Sequence, residues 1–432
     1  MSCSEQAAVE QKAEKRDRFV ATGVATALVL LALCLVQALR PAWPDIVLSN
    51  DFVGLWTGAS LLSRGAGAHL FDLETQQAFQ VELRRTLAVS PGLAASDACL
   101  AFYNPPPLAL VVAPLTVLPA PTAYLAWTIL GFLATLAAVA LPLRGTACAR
   151  TPAILMVTYP AVLLTLLIGQ ANWIYLLAFS LGLRALVSGP PFWGGVLMGV
   201  LWLKPQYAVL FPLVFLLKRR WLELAGMAAS GLVVALLSLL LVGPSGIASL
   251  LAMMARMGAF YPPPGSFVNP QDMINWRSLL INLWPGIPEV TGSILTLVLG
   301  AMTIAASLLV WRGPWAPHSP RFARQMLIAT MATLVASPHS HFHGLMMLLA
   351  PVSLSLAQQP AEASARRLWR QLLLAGYVVT LLVWPLASAI WEARPLFWVL
   401  APCYTLALGI LTFLLRVPER TPCDAVPQPS PR

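Results

Sequence analysis

The chain has 432 residues, of which 58% are hydrophobic and only 10% are charged, and its mean hydropathy is +0.75. Soluble domains carry about 25% charged residues, so the composition excludes a water-soluble globular protein. Apolar runs of ~20 residues are long enough to cross a bilayer as helices, and the ~10-residue alternating segments of a membrane β-barrel do not occur in the sequence. We therefore predict an all-α polytopic membrane protein.

The formal charge of +10 at pH 7 comes from short basic clusters that separate the apolar runs. Such clusters mark cytoplasmic loops, so we predict contact with membrane lipids and no nucleic acid partner. Few lysines, many alanines and leucines and short connectors are typical of a bacterial inner-membrane protein. The six cysteines have neither the spacing of a disulfide framework nor that of metal ligands.

About twelve apolar segments are predicted to cross the membrane, and one re-entrant segment between residues 105 and 191 would reduce the number to eleven. With the basic N-terminus in the cytoplasm, an even number of spans returns the C-terminus to the same side. The predicted spans are 19–39, 105–118, 122–142, 152–168, 171–187, 191–217, 221–242, 292–311, 325–337, 343–358, 371–391 and 396–416.

These spans define one transmembrane domain over residues 19–416. A cytoplasmic tail at 1–18 precedes it, and a proline-rich tail at 417–432, predicted to be disordered, follows it. Two outer loops, at about 40–104 and about 243–291, are too long to be simple connectors. The outer loops carry carboxylates and the spans carry almost none, whereas a proton-driven transporter more often places acids within its spans.

Asp51 stands just outside the first predicted span, at the start of an amphipathic stretch over residues 52–62. The helical spacing of the apolar residues predicts a helix that lies flat on the membrane, and residues 73–89 predict a second surface helix. A carboxylate at this place can act as a general base toward an acceptor hydroxyl. The alternative is an N-cap, in which Asp51 accepts the first backbone N–H groups of the helix. The two roles are compatible.

Polar residues interrupt the apolar pattern at three further places. Asn104 lies in Tyr-Asn-Pro-Pro-Pro, which most simply breaks the chain before a span. Gln170 and Asn172 separate two apolar runs, where their amides bind a sugar hydroxyl or cap helix ends. Lys204 is the only cation within the run 191–217. A buried lysine is costly unless it is paired or snorkels, so Lys204 contacts a lipid phosphate or reaches the headgroups.

The second outer loop and the segment after it hold the remaining candidates. Asn275 and Arg277 flank a tryptophan; arginine suits phosphate and tryptophan suits a sugar face, but both also anchor loops at the interface. His339, His341 and His343 share one short segment. This cluster has three alternative interpretations: a metal site, a histidine that binds or protonates a phosphate-bearing group, or a polar loop at the membrane interface. No acidic or cysteine ligand is adjacent, which disfavours the metal.

The order of these segments resembles glycosyltransferase family 87, polytopic enzymes of the GT-C fold class related to polyprenyl-phosphate-mannose-dependent mannosyltransferases. The resemblance covers residues 51–351. It rests on an Asp soon after the first span, then Tyr-Asn-Pro-Pro-Pro, Gly-Gln-Ala-Asn, Leu-Lys-Pro, Asn-Trp-Arg-Ser-Leu-Leu and Ser-Pro-His-Ser-His-Phe-His. His339 and His341 depart from the family pattern, because apolar or aromatic residues are expected at their positions.

The resemblance implies an inverting hexosyltransferase or related enzyme that moves mannose, or another hexose or pentose, from a polyprenyl-phosphate donor to a lipid or glycan acceptor. The active site would face the periplasm, on the outer side of the plasma membrane. Asp51 matches the catalytic base, and His343 matches the family's histidine, with His341 as the fallback. Lys204 and Arg277 would contact the donor phosphate.

The resemblance also implies a reaction without metal or other cofactor. The sequence has no Asp-x-Asp pair, and a lipid phosphate leaves without the divalent clamp that a nucleotide diphosphate needs. Three other functions stay open from the residues themselves: a transporter or flippase of a lipid-linked glycan, a membrane acyltransferase that uses a histidine of the 339–343 segment, and a structural membrane protein.

Overall fold

The computed structural model of the protein describes residues 42–143, 159–262 and 268–358, together with residue 371. Several predicted features lie outside these residues. They are the spans at 19–39 and 396–416, nearly all of the span at 371–391, the first part of the span at 152–168, and both tails.

The described residues form helices and no strands, so the predicted all-α class is confirmed. A single isolated antiparallel bridge pairs Met273 with His341. The α-helices are α1 (Trp43–Leu48), α2 (Phe52–Ser63), α3 (Leu73–Leu87), α4 (Pro91–Ala94), α5 (Pro106–Val112), α6 (Ala120–Leu143), α7 (Pro160–Leu167), α8 (Asn172–Ser188), α9 (Pro191–Gly199), α10 (Leu210–Leu217), α11 (Trp221–Gly258), α12 (Trp276–Leu283), α13 (Glu289–Val310), α14 (Pro320–Ala336) and α15 (Leu349–Ala357). The 3-10 segments are Gly67–His69, Ala113–Val117, Val200–Leu203, Pro205–Tyr207, Pro270–Asp272 and Phe342–Leu348.

Three helices of the described residues, α6, α11 and α13, are long and apolar enough to cross a membrane. They coincide with predicted spans, but α11 extends beyond the predicted 221–242. It continues into the second outer loop through a kink at Gly243, where φ is +69° and Pro244 follows. Proline lacks the N–H of a continuing helix and its ring clashes with the preceding turn, so the chain bends there.

The apolar run 191–217 is predicted as one span but forms four short segments. The break falls at Lys204, whose backbone is non-helical (φ −140°, ψ 77°) and which precedes Pro205. A residue before proline avoids the α-helical region. The break therefore places the lysine side chain at the end of a 3-10 turn, within the protein.

The prediction that residues 52–62 lie flat on the membrane is wrong. All of residues 52–61 in α2 are buried, and the helix packs against α3, α5 and Ala113–Val117. The residues between the large apolar ones are small, so other segments can pack closely against every side of the helix. A Cβ at Gly54 would lie 2.6 Å from the Leu100 carbonyl oxygen, and one at Gly58 would lie 2.5 Å from the Phe102 ring.

Helix α3, predicted over 73–89, holds an extended segment against α2. Gln80 donates to the Leu100 carbonyl (2.8 Å) and accepts from the Leu100 amide (2.9 Å). One turn earlier, Gln76 does the same with Phe102, at 3.1 and 2.6 Å. The two glutamine side chains thus satisfy the backbone N–H and C=O groups of Leu100 and Phe102, which would otherwise need a neighbouring strand. They fix the course of the chain immediately before Tyr103.

The turn between α7 and α8 is pinned against the start of α2. Gly169 has φ +70°, and its carbonyl accepts from Trp127 Nε1 at 3.0 Å. Tyr124 donates its hydroxyl to the carbonyl of Leu167 (2.6 Å). The Phe52 amide donates to the Ile168 carbonyl (3.0 Å). These contacts bring Gln170 beside Asp51.

We expect Gly169→Ala to destabilise the protein by roughly 2–5 kcal/mol. The left-handed backbone contributes about 1–2 kcal/mol. Overpacking adds roughly 1–3 kcal/mol, because the new Cβ would lie 2.5 Å from Phe52 Cβ. Gly286→Ala is the control, since Gly286 has φ +81° with nothing within 4 Å of its Cβ position. Thermal unfolding in detergent measures both, and equal melting temperatures would contradict the tight contact at Gly169.

Candidate active site

A cavity of about 300 Å³ lies where the two outer loops, the turn after α7, the break at Lys204 and the histidine segment meet. Six residues predicted from the sequence as catalytic or binding residues line this cavity: Asp51, Asn104, Gln170, Lys204, His341 and His343. The lining residues are Asp51, Leu55, Leu100, Ala101, Phe102, Tyr103, Asn104, Leu164, Ile168, Gln170, Lys204, Val268, Asn269, His341, Phe342 and His343.

Asp51 occupies the N-cap position of α2, but its side chain makes no capping hydrogen bond. Asn50 Oδ1 instead accepts from the Phe52 amide at 3.0 Å, an amide that it shares with the Ile168 carbonyl. The Asp51 carboxylate points into the cavity, where its Oδ2 accepts from Gln170 Nε2 at 2.6 Å. One oxygen is thus oriented by the amide, and the carboxylate faces the space that an acceptor hydroxyl can enter.

Burial raises the pKa of the Asp51 carboxyl above its ordinary value. The hydrogen bond from Gln170 and the positive charge of Lys204 act in the opposite direction and favour the carboxylate. A raised pKa makes the carboxylate a stronger base than an exposed aspartate.

Lys204 presents its ammonium to the same cavity, although the residue is only 8% exposed. Its Nζ donates to Asn172 Oδ1 at 3.2 Å and lies 5.0 Å from the centre of the Tyr207 ring and 5.9 Å from that of Tyr175. An amide oxygen and two ring faces stabilise a cation without neutralising it. The cavity lining therefore carries both a positive charge and the Asp51 carboxylate.

Asn172 does not line the cavity. The residue is fully buried, and its Nδ2 donates to the His343 carbonyl at 2.9 Å while its Oδ1 accepts from Lys204. Both ends of the amide are thus engaged by the protein. The structure places Asn172 as a bridge between Lys204 and the histidine segment, and not at the sugar-binding position that the sequence suggested.

The three clustered histidine rings contact one another through His341, which has an extended backbone, although His343 lies in the 3-10 segment Phe342–Leu348. The His341 ring stacks on His343, with centroids 5.6 Å apart, and meets His339 edge to face at 4.9 Å. His341 and His343 line the cavity and His339 does not. Within the described residues, no three histidine, cysteine, aspartate or glutamate side chains are grouped so that they can hold a metal ion.

The structure does not bring Arg277 and Asn275 to the cavity. Arg277 is 1% exposed, and Asn275 caps α12 by accepting the Ser278 amide at 3.0 Å. The arginine N–H groups donate to the backbone carbonyls of Met257, Ala259, Phe260 and Pro338. Arg277 thus caps the end of α11 and ties it to the histidine segment.

Two lining residues went unrecognised as site residues in the sequence. Tyr103 belongs to Tyr-Asn-Pro-Pro-Pro, where the prolines indicated only a chain break. Asn269 begins the Pro270–Asp272 turn, with its Oδ1 accepting the Gln271 amide at 3.2 Å. Nothing in the local sequence of Asn269 distinguishes it from an ordinary turn residue.

The fold and site thus define an all-α membrane protein with a carboxylate and an ammonium in one cavity. The profile of glycosyltransferase family 87 matches residues 102–338, which is more than half of the chain. The chain belongs to glycosyltransferase family 87 and is a membrane glycosyltransferase of the GT-C type. The matched region includes Gln170 and Lys204, whereas Asp51 and the three histidines lie outside it. No curated protein and no solved structure matches the chain.

Proposed function

We propose that the enzyme transfers mannose, or another hexose or pentose, from a polyprenyl-phosphate donor to a hydroxyl of a lipid or glycan acceptor. The reaction takes place on the periplasmic face of the plasma membrane and inverts the anomeric centre. The observation that carries this proposal is the placement of the Asp51 carboxylate and the Lys204 ammonium on the lining of one cavity. They supply a base for the acceptor and a positive charge for the leaving phosphate.

Asp51 acts as the general base of a single displacement. The carboxylate removes the proton of the acceptor hydroxyl while that oxygen forms a bond with the anomeric carbon. The bond between the anomeric carbon and the phosphate oxygen breaks on the opposite face, and its electron pair stays with the lipid phosphate. Gln170 orients the carboxylate through the 2.6 Å hydrogen bond, so little reorganisation is needed as the proton moves.

Lys204 stabilises the charge that develops on the leaving phosphate. A fixed cation in a buried site is worth more than one in water and costs no reorganisation during the reaction. One ammonium suits a lipid phosphate, which leaves with less charge than a nucleotide diphosphate. We therefore propose that transfer needs no divalent metal.

The other cavity residues bind substrate. His343, with His341 stacked on it, donates an imidazole N–H to the leaving phosphate, and the amides of Asn104 and Gln170 face the sugar hydroxyls. The positions of these side chains on the cavity lining support the assignments. Asn172, Asn275 and Arg277 support the site from outside the lining, through the contacts described above.

We expect Gln170→Leu to shift the acid limb of the pH profile of kcat/KM to higher pH. The reaction needs ionised Asp51, and the hydrogen bond from Gln170 lowers the pKa of that carboxyl against the effect of burial. Loss of the bond raises the pKa, so activity falls at a higher pH than in the wild type. Gln77→Leu, a glutamine of α3 outside the cavity lining, is the control. An acid limb shifted to lower pH would contradict the assignment.

The donor class is tested in membranes from cells that express the enzyme, compared with membranes that lack it. Labelled polyprenyl-phosphate-mannose, a panel of other polyprenyl-phosphate hexoses and pentoses, and nucleotide sugars are supplied with and without EDTA. We expect enzyme-dependent transfer from a lipid-phosphate donor that survives EDTA. Transfer from nucleotide sugars alone, in membranes that cannot convert them to lipid donors, would overturn the proposal.

A further inference from the structure

One polar contact on the cavity wall has no part in the proposed proton transfer or phosphate binding. The Tyr103 hydroxyl lies 3.0 Å from His339 Nε2, and the two rings meet edge to face with centroids 5.5 Å apart. Tyr103 lines the cavity, whereas His339 does not. The contact joins the first outer loop to the histidine segment, two parts of the chain that are 236 residues apart.

The backbone of His339 is held from several sides. Its amide donates to Ser337 Oγ at 3.2 Å, and the Ser337 hydroxyl donates to the His339 carbonyl at 3.1 Å. Gln206, two residues after Lys204, donates to the same carbonyl at 3.4 Å. Arg277 holds the preceding Pro338 carbonyl at 3.4 Å. The backbone of His339 is therefore held in place, so its ring can orient the side chain of Tyr103.

His339 touches two cavity-lining side chains at once. Besides its hydrogen bond to Tyr103, its ring meets His341 edge to face at 4.9 Å, and His341 stacks on His343. A change in the orientation of the His339 ring would thus displace Tyr103 on one part of the cavity lining and His341 on another.

The protonation states fit a hydrogen bond from the tyrosine to the histidine. Burial lowers the pKa of His339, and the neighbouring His341, Lys204 and Arg277 lower it further. Burial and the charge of Asp51 raise the pKa of Tyr103. A neutral imidazole has one donor and one acceptor nitrogen, so the phenol donates to Nε2 in the tautomer that carries its proton on Nδ1.

We propose that His339 is a positioning residue that fixes Tyr103 as a sugar-facing wall of the cavity and, through His341, aligns the opposite wall. The hydroxyl of Tyr103 is occupied by His339, so the tyrosine offers its ring to the substrate. The C–H face of a pyranose suits such a surface. This inference rests on the proposed function and deepens it, because it names the residues that select the sugar.

A double-mutant cycle on Tyr103→Phe and His339→Phe tests the proposal. Tyr103→Phe keeps the ring and removes only the hydroxyl. We expect each variant to raise the KM for the sugar donor roughly 2- to 10-fold, the range for loss of one neutral hydrogen bond, with a smaller change in kcat. The double variant should be no worse than the poorer single variant, because both changes remove the same contact.

Conservative and wall-removing variants complete the test. His339→Gln keeps a side chain that can accept from Tyr103 and should recover most of the affinity. Tyr103→Leu removes the ring and should raise the KM more than Tyr103→Phe does. An unchanged KM in Tyr103→Phe, or strictly additive effects in the double variant, would overturn the proposal, as would equal losses in kcat and thermal stability without a change in KM.

The cycle uses the donor that the wild-type enzyme consumes in the membrane assay, so the two claims are judged separately. Wild-type transfer from a nucleotide sugar, and not from a lipid phosphate, would remove the proposed donor class. The KM of each variant relative to the wild type would still decide whether Tyr103 and His339 act as one unit.

Discussion

Asp51→Asn is expected to lower kcat by about 10²–10⁴-fold, the usual contribution of a positioned general base. Asparagine has nearly the size of aspartate and keeps an oxygen that can accept from Gln170, so the local contacts change little. It cannot remove a proton from the acceptor hydroxyl. We expect the KM values for donor and acceptor to stay close to those of the wild type, because the loss falls on the transition state.

Asp97→Asn is the matched control for this substitution. Asp97 lies in the same outer loop, is exposed, and does not line the cavity. Both variants are compared with the wild type at equal amounts of protein in membranes, with initial rates measured at saturating donor. A rate for Asp51→Asn that matches that of Asp97→Asn would remove Asp51 from the mechanism and direct attention to His341 and His343.

Lys204→Met is expected to lower kcat/KM for the donor by roughly 10- to 150-fold. Methionine replaces most of the alkyl chain and leaves out the ammonium. A hydrogen bond to a charged group contributes about 1.5–3 kcal/mol, and each 1.36 kcal/mol is a factor of ten in rate. Most of the loss should appear in kcat, because the phosphate gains charge in the transition state.

Lys204→Arg should retain part of the activity, since it keeps the charge but not the compact geometry of an ammonium held by Asn172. Arg184→Met serves as the control, because Arg184 is an exposed cation of the adjacent helix α8 and does not line the cavity. Kinetics with varied donor concentration distinguish the variants. Wild-type kcat/KM in Lys204→Met would exclude a role for the ammonium at the phosphate.

The membrane class and several spans could be predicted because they depend only on local composition. The runs at 122–142 and 292–311 are continuous, apolar and of spanning length, and both became helices at nearly those bounds. The surface placement of α2 failed for a tertiary reason. Its glycines at 54 and 58 admit Leu100 and Phe102 at close range, and a hydrophobic pattern alone does not reveal which neighbours will use that space.

Six of the residues predicted for the site line one cavity, but their geometry could not be predicted from the sequence. Asp51 and Gln170 lie 119 residues apart and meet because the positive φ at Gly169 turns the chain toward α2. Arg277 shows the opposite case. Its neighbours along the chain favoured a phosphate contact, yet its N–H groups donate to backbone carbonyls at the end of α11. Helix ends leave several carbonyls without partners, and the sequence does not show where those carbonyls lie in space.

The anomeric configuration of the product tests the account most directly. A polyprenyl-phosphate sugar of known configuration is supplied with the acceptor that the membrane assay identifies, and the new glycosidic linkage is assigned by NMR. Direct attack by an acceptor hydroxyl that Asp51 deprotonates predicts an inverted configuration at the anomeric carbon. A retained configuration would contradict the account, because retention requires two displacements and a covalent or otherwise shielded intermediate.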